Sequence, residues 1–164
     1  MINDVVYPDF TVWPSPQKPA LRLNTVKPYT SVAIGPYEVL PVPMQHAVPT
    51  VGFQITGREG ERVFFSGDTG PGLAPCWEYI APQLMIIETA LSNKSVDIAS
   101  EAGHLYPSLL KEELISFRQI RGYLPKVIVT HMNPEVESEI NEQIQRLAGE
   151  LNAQISLAYE GMEI

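Results

Sequence analysis

The chain has 164 residues, 45% of them hydrophobic, which suits one domain with a sizeable core. A net charge of -8 excludes a general nucleic-acid surface, because a phosphate backbone is held by clustered Lys and Arg, although a metal centre can still present positive charge locally to a small phosphate. The single cysteine, Cys76, excludes an internal disulfide and a cysteine-based zinc cluster, and no apolar run approaches the ~20 residues of a membrane helix.

The start, "MINDVVYPDF", has no basic segment followed by an apolar stretch, so the expected location is cytoplasmic, away from any membrane. Across residues 1–36 prolines fall at 8, 14, 16, 19, 28 and 36. Proline removes a backbone donor and fixes φ, so this segment reads as extended chain laid over a surface. Val5, Val6, Tyr7, Phe10, Trp13, Leu21 and Leu23 need something to pack on. From Tyr37 the runs "YEVLPV", "VGFQIT" and "RVFFSG" are short β-rich segments, and "GREGE" suits a hairpin loop between the last two. Cys76, beside Trp77, reads as a small buried apolar residue. "LMIIE" (84–88) and "KVIVT" (126–130) have the compact apolar character of strands buried on both faces, and "QISLAY" (154–159) reads as a last strand.

Leu110, Leu114, Phe117 and Ile120 recur at helical spacing over 108–121; Val136, Ile140, Ile144, Leu147 and Leu151 do so over 135–151. Asn133 suits the cap of the second helix, with Pro134 in its first turn and Glu135 and Glu137 at the positive dipole end; Gly149 suits a weakening or an end. Strands first, then strands alternating with helices, predict an α/β fold: a mixed sheet with helices on one face.

The histidines are His46, His104 and His131. His46 lies in a loop between two strands, His131 one residue past a buried strand, and Asp68 just past "VFFSG". Carboxyl ends of neighbouring strands form one rim, so Asp68 and His131 can share an edge. Imidazole with carboxylate is a donor set that Zn²⁺ accepts. Each residue also has a plainer reading: a loop histidine is commonly a surface or hydrogen-bonded group, and Asp-Thr-Gly is a good turn.

"FFSGDTGPG", "IIETALSN", "AGHLYPSLLKEEL" and "VIVTHMNPEVESEI", in that order, resemble the second half of a metallo-β-lactamase-fold hydrolase, most of all the class II 3',5'-cyclic-nucleotide phosphodiesterases. "INDVVYPDFT" is similar to a segment that follows the first metal-binding region there. The resemblance implies half of an αββα sandwich in one partial domain over 1–164, with 1–36 the proline-rich extension and 37–164 the C-terminal half. It implies two Zn²⁺ per complete site, with Mn²⁺ or Fe²⁺ as alternatives. His46 is then a ligand of the first ion, His131 of the second, and Asp68 the carboxylate shared by both. His104 in "GHLYP" becomes the general acid and Glu88 the acid that orients it. Asn93 and Tyr106 are candidate substrate contacts. Tyr106 stands where the family usually has threonine, which passes the helix cap to Ser108. The glycines around Asp68 fit the same picture: Gly67 for close backbone approach, Gly70 and Gly72 to turn the chain away.

The departure from the family is the absence of its His-x-His-x-Asp-His motif; the chain has no HxH. Each ion would have one histidine and the shared Asp68, where a catalytic zinc takes three protein ligands. The expected function is metal-dependent hydrolysis of a small phosphodiester, with cAMP the first candidate and no nucleic-acid partner. Its completion rests on an N-terminal half chain or a homo-oligomer covering the open sheet face. The alternatives are a half-domain inactive on its own, or a hydrolase of this fold for another ester.

Overall fold

Residues 9–95 and 103–164 are described by the structure, a computed structural model; Val5, Val6 and Tyr7 lie outside them. Two short strands, β1 (Pro14–Ser15) and β2 (Lys18–Pro19), pair with each other, and β3 (Val32–Ile34) joins the edge of the main sheet. The proline-rich segment is therefore not all loop. Nor does it pack on this chain throughout: Trp13 is 53% exposed and Leu23 75%.

β4 (Tyr37–Met44) pairs antiparallel with β5 (Thr50–Thr56), from Glu38 opposite Thr56 to Met44 opposite Thr50. β5 turns through residues 57–61 into β6 (Arg62–Phe65), the turn closed by the Gly57 N–H donating to Glu61 O at 2.8 Å. From there the sheet is parallel: β6, β7 (Leu84–Glu88), β8 (Lys126–Thr130) and β9 (Ile155–Leu157) lie side by side in chain order. The connections carry α1 (Ala74–Trp77), α2 (Pro107–Arg121) and α3 (Glu137–Leu151). Parallel strands laid down in sequence by crossovers of one hand put every helix on the same face. The seven-stranded mixed sheet with helices on one face is the α/β architecture the patterning predicts.

One core fills the space between sheet and helices. Val42, Met44, Phe64, Met85, Ile87, Val127 and Val129 come from the sheet, Trp77 from α1, Leu110, Leu114 and Phe117 from α2, and Ile140, Ile144 and Leu147 from α3. Trp77 is its hinge, meeting Phe64 and Phe117 edge-on at 6.0 and 5.4 Å. Cys76 is buried, its thiol 2.8 Å from Pro43 O. The opposite face of the sheet is apolar too. Register aligns Pro41, Phe53, Phe65, Ile86 and Ile128 in one row across five strands. Phe65 is 46% exposed there, and Leu84 and Ile86 are only half-buried, so β7 is covered on one face and not on both.

Several local expectations shift. α3 starts at Glu137; Asn133 instead closes a turn, its Oδ1 accepting the Glu135 N–H at 3.0 Å. α3 runs through Gly149 and ends at Asn152, whose φ of 48° makes it the left-handed cap. α2 begins at Pro107 behind Tyr106, and its Ser108 N–H is received by Asn93 Oδ1 at 2.9 Å, so Ser108 is capped and is not the cap. Among the described residues no helix is long and apolar enough to cross a membrane.

Candidate metal centre and its histidine dyad

The carboxyl ends of β6, β7 and β8 meet at one rim, and the loops that follow them carry the chemistry. β6 ends at Phe65, and Gly67 then takes a φ of 62°, a conformation other residues rarely adopt, which swings Asp68 over the rim. β8 ends at Thr130, and His131 takes a φ of 61° in the same way. A non-glycine residue held left-handed is uncommon and marks a place where geometry is imposed by function or packing.

All three histidines of the chain gather here. The His104 ring centroid lies 4.9 Å from that of His46 and 5.3 Å from that of His131. The Asp68 side chain is 43% exposed and turns one oxygen to each side: Oδ2 lies 3.9 Å from His46 Nε2, and Oδ1 lies 3.7 Å from His131 Nε2. Both gaps are too long for hydrogen bonds, yet each lies within the span of two metal–ligand bonds of roughly 2.0–2.2 Å.

Tautomers follow from the partners. His46 Nδ1 lies 3.0 Å from Gly103 O, which only accepts, so Nδ1 carries the proton and the Nε2 lone pair faces Asp68. His104 Nδ1 lies 2.6 Å from Glu88 Oε1, so its Nδ1–H donates there and Nε2 is left for proton transfer. Glu88 is 1% exposed, at the end of β7; the same Oε1 accepts the Thr69 N–H at 2.7 Å, while Oε2 is buried without a partner among the described residues. Burial raises the Glu88 pKa above the usual carboxylate range, opposed by the hydrogen bonds from His104 and Thr69.

The donors fit a divalent ion in kind and in tautomer, but not in number. Among the described residues no group of three or more His, Cys, Asp or Glu side chains converges to hold an ion. Asp68 with His46 on one side and Asp68 with His131 on the other give two donors per ion. Beside them an open cleft of about 320 Å³ is lined by Ala90, Leu91, His104, His131, Met132 and Asn133. Asn93 has its carbonyl engaged at the start of α2, and Tyr106 is half-buried one residue ahead of that helix.

The glycines act differently from the expectation. A Cβ on Gly67 would meet nothing nearer than 3.8 Å, so it is there for its φ. Gly70 is the close approach: a Cβ there would lie 3.3 Å from Gly103 C and O and 3.4 Å from Gln45 O. Its N–H donates to Gln45 O, and the Gln45 N–H donates to Thr69 Oγ1 at 3.2 Å. The loops bearing His46, Asp68 and His104 are thus sewn together by backbone contacts. Sequence reasoning missed Gln45 and Thr69 because backbone groups and a loop hydroxyl carry no signal of their own in a sequence. It also missed Glu113, which had a signal: with Leu110, Leu114 and Phe117 it makes an i, i+3, i+4, i+7 stripe, a carboxylate in a core position.

The family model described as "Beta-lactamase superfamily domain" matches residues 3–145. Among solved structures, the metallo-beta-lactamase fold protein YhfI from Bacillus subtilis superposes with a TM-score of 0.69 at 16% identity, over 88% of this chain and 56% of that one. Human tRNase Z, short form, gives 0.56 at 19%, over 80% and 44%. A diphosphatase from the PhnP family gives 0.59 at 15%, over 87% and 48%. At these identities the likeness is one of fold, and the chain spans about half the length of these structures. No curated protein matches the chain.

Proposed function

The chain belongs to the beta-lactamase superfamily, and from that premise we propose that it carries half of a dinuclear metal site for phosphodiester hydrolysis, with a 3',5'-cyclic nucleotide such as cAMP as substrate. The observation that carries this reading is Asp68 presenting one oxygen to His46 and the other to His131, with the Glu88–His104 pair alongside. His46 with Asp68 would hold one ion and His131 with Asp68 the other, Zn²⁺ being the first candidate. When bound, the ions lower the pKa of water and neutralise phosphoryl oxygens. His104 would pass a proton from Nε2 to the leaving ribose oxygen, while Glu88 fixes its ring and stabilises the imidazolium. Tyr106 is the stronger proposed substrate contact, since Asn93 already serves α2. The charge of -8 disfavours RNA as the phosphodiester.

The missing donors would come from a different polypeptide segment seated on the open sheet face. A second copy brings no new imidazole, because every histidine of this chain is already committed at its own rim. The two-donor count also favours a second reading, a binding half-domain inactive on its own.

The two readings separate in an assay, on cAMP, bis-p-nitrophenyl phosphate and a thioester, of metal-loaded protein combined with an N-terminal half of the same fold that supplies the missing donors. The proposal expects both phosphodiesters to be cleaved in preference to the thioester. His104→Ala should lower the cAMP rate by about 10²–10⁴-fold and spare the nitrophenyl ester, whose leaving group needs no proton. A preferred thioester, or equal losses on the two phosphodiesters, contradicts it; no turnover of any substrate leaves the inactive half-domain.

A further inference from the structure

We infer that Leu91, Met132 and Asn133 hold the substrate's uncharged ring in the cleft beside His104, which makes them specificity-determining contacts. That the ring is a nucleobase rests on the cyclic-nucleotide reading above. That the cleft takes an uncharged ring rests on its own walls, and neither statement needs a bound ion.

The floor of the cleft is built by backbone. Thr89 N–H donates to Thr130 O at 3.0 Å, one step past the paired ends of β7 and β8. Ala90 N–H then donates to Leu105 O at 3.1 Å, and Ala90 O accepts the Asn133 N–H at 2.9 Å. The loops after β7 and β8 and the chain ahead of α2 are tied together in this way, so the cleft is preformed and a ligand need not order it. The same bonds spend the backbone polar groups of Ala90 inside the fold.

The six lining residues include no Lys, Arg, Asp or Glu. Side chains that hold a phosphate are cationic, so the cleft suits the part of a substrate that carries no charge. Leu91 is half-buried yet stands outside the hydrophobic core of the described residues, whereas Met132 is half-buried against that core. An apolar side chain with free surface and no core to fill is available to a ligand, and a thioether packs well on an aromatic ring. Polar character lies at the two imidazoles and at Asn133. Asn133 spends its Oδ1 on the Glu135 N–H at 3.0 Å, which leaves its NH₂ to donate. Two apolar side chains and one donor match a flat ring with apolar faces and an acceptor on its edge, as adenine has at N7. The volume of about 320 Å³ gives room for one ring system and not for a polynucleotide.

The test titrates adenosine, indole and ribose 5-phosphate into the full chain without added metal. NMR shifts of amides and methionine methyls are followed for wild type, Leu91→Asp, Met132→Ala and Asn133→Asp, and urea midpoints check that each variant is folded. Adenosine and indole should give saturable shifts at 89–91 and 131–133. Ribose 5-phosphate, with the sugar and the charge but no base, should give none. Leu91→Asp should weaken adenosine about 10-fold or more, by placing a charge against the ring. Met132→Ala should weaken it about 3–10-fold. Asn133→Asp keeps the acceptor for the Glu135 N–H and loses the donor; it should weaken adenosine about 5-fold and spare indole, which has no ring acceptor. Ribose 5-phosphate shifting the cleft as strongly as adenosine overturns the inference. So does either ring binding Leu91→Asp as it binds wild type, or neither ring binding at the cleft. Equal losses of adenosine and indole in Asn133→Asp overturn the assignment of Asn133. If indole binds there and adenosine does not, the ring cleft stands and the nucleotide reading of the substrate fails.

Discussion

Glu88 concentrates the electrostatics of the rim in one buried group. Its pKa is raised from the ordinary value of 4.5, first by desolvation. A carboxyl whose folded pKa is raised keeps its proton after the unfolded chain has lost it, so the folded state binds more protons in that window and stability falls as pH rises. Wild type should therefore lose stability relative to Glu88→Gln as pH climbs from about 4.5, read by urea midpoints at several pH values. A difference that is flat with pH, or that grows with pH, would contradict the burial account. Asp68, His46 and His131 stood out as candidates because they lie just past or between strands, while Glu88 and a role for His104 came only with the family resemblance. Gln45 and Thr69 did not stand out, since a backbone carbonyl and a loop hydroxyl look alike in any sequence. The roles of Gly67 and Gly70 were exchanged for a related reason: the letter G does not say whether φ or space is needed.

At the scale of elements, periodicity found α2 and α3, because burial of one face imposes the period, and β-rich or apolar runs found β4 to β9, while the loop reading of residues 1–36 missed β1, β2 and β3. Sequence reasoning placed the start of α3 early, since Asn133 closes a turn with Glu135 that resembles a cap in sequence. It overlooked α1, whose four residues span too little chain to show a period. It also placed both faces of β7 in the interior, which holds for Met85 and Ile87 but not for Leu84 and Ile86. The anchor of the helical layer is Phe117, fully buried against Trp77. Phe117→Ala should cost about 3–5 kcal/mol in chemical unfolding; a loss below about 1 kcal/mol would mean that α2 is not held by this core.

For the molecule as a whole, one sheet face is packed and the other is covered only in part: Pro41 and Ile128 are buried there, while Phe65 is exposed. The row through Phe53, Phe65 and Ile86 is contiguous and apolar, and the exposed Trp13, Leu21 and Leu23 add to the uncovered apolar surface of the chain. The isolated chain should self-associate with rising concentration in sedimentation velocity. Phe65→Lys should weaken that association while changing stability by no more than about 0.5 kcal/mol. A Phe65→Lys protein as destabilised as a core mutant would show that the face is already covered. The open face and the two-donor count have one cause in this account: what packs against the sheet also brings the remaining ligands.

The central claim is that Asp68 is shared between two ions, one beside His46 and one beside His131. Its most direct test is calorimetric titration of the chain with Zn²⁺. His46→Ala and His131→Ala should each remove one weak binding event, and Asp68→Asn should remove both together. Zn²⁺ binding by Asp68→Asn indistinguishable from wild type would contradict it.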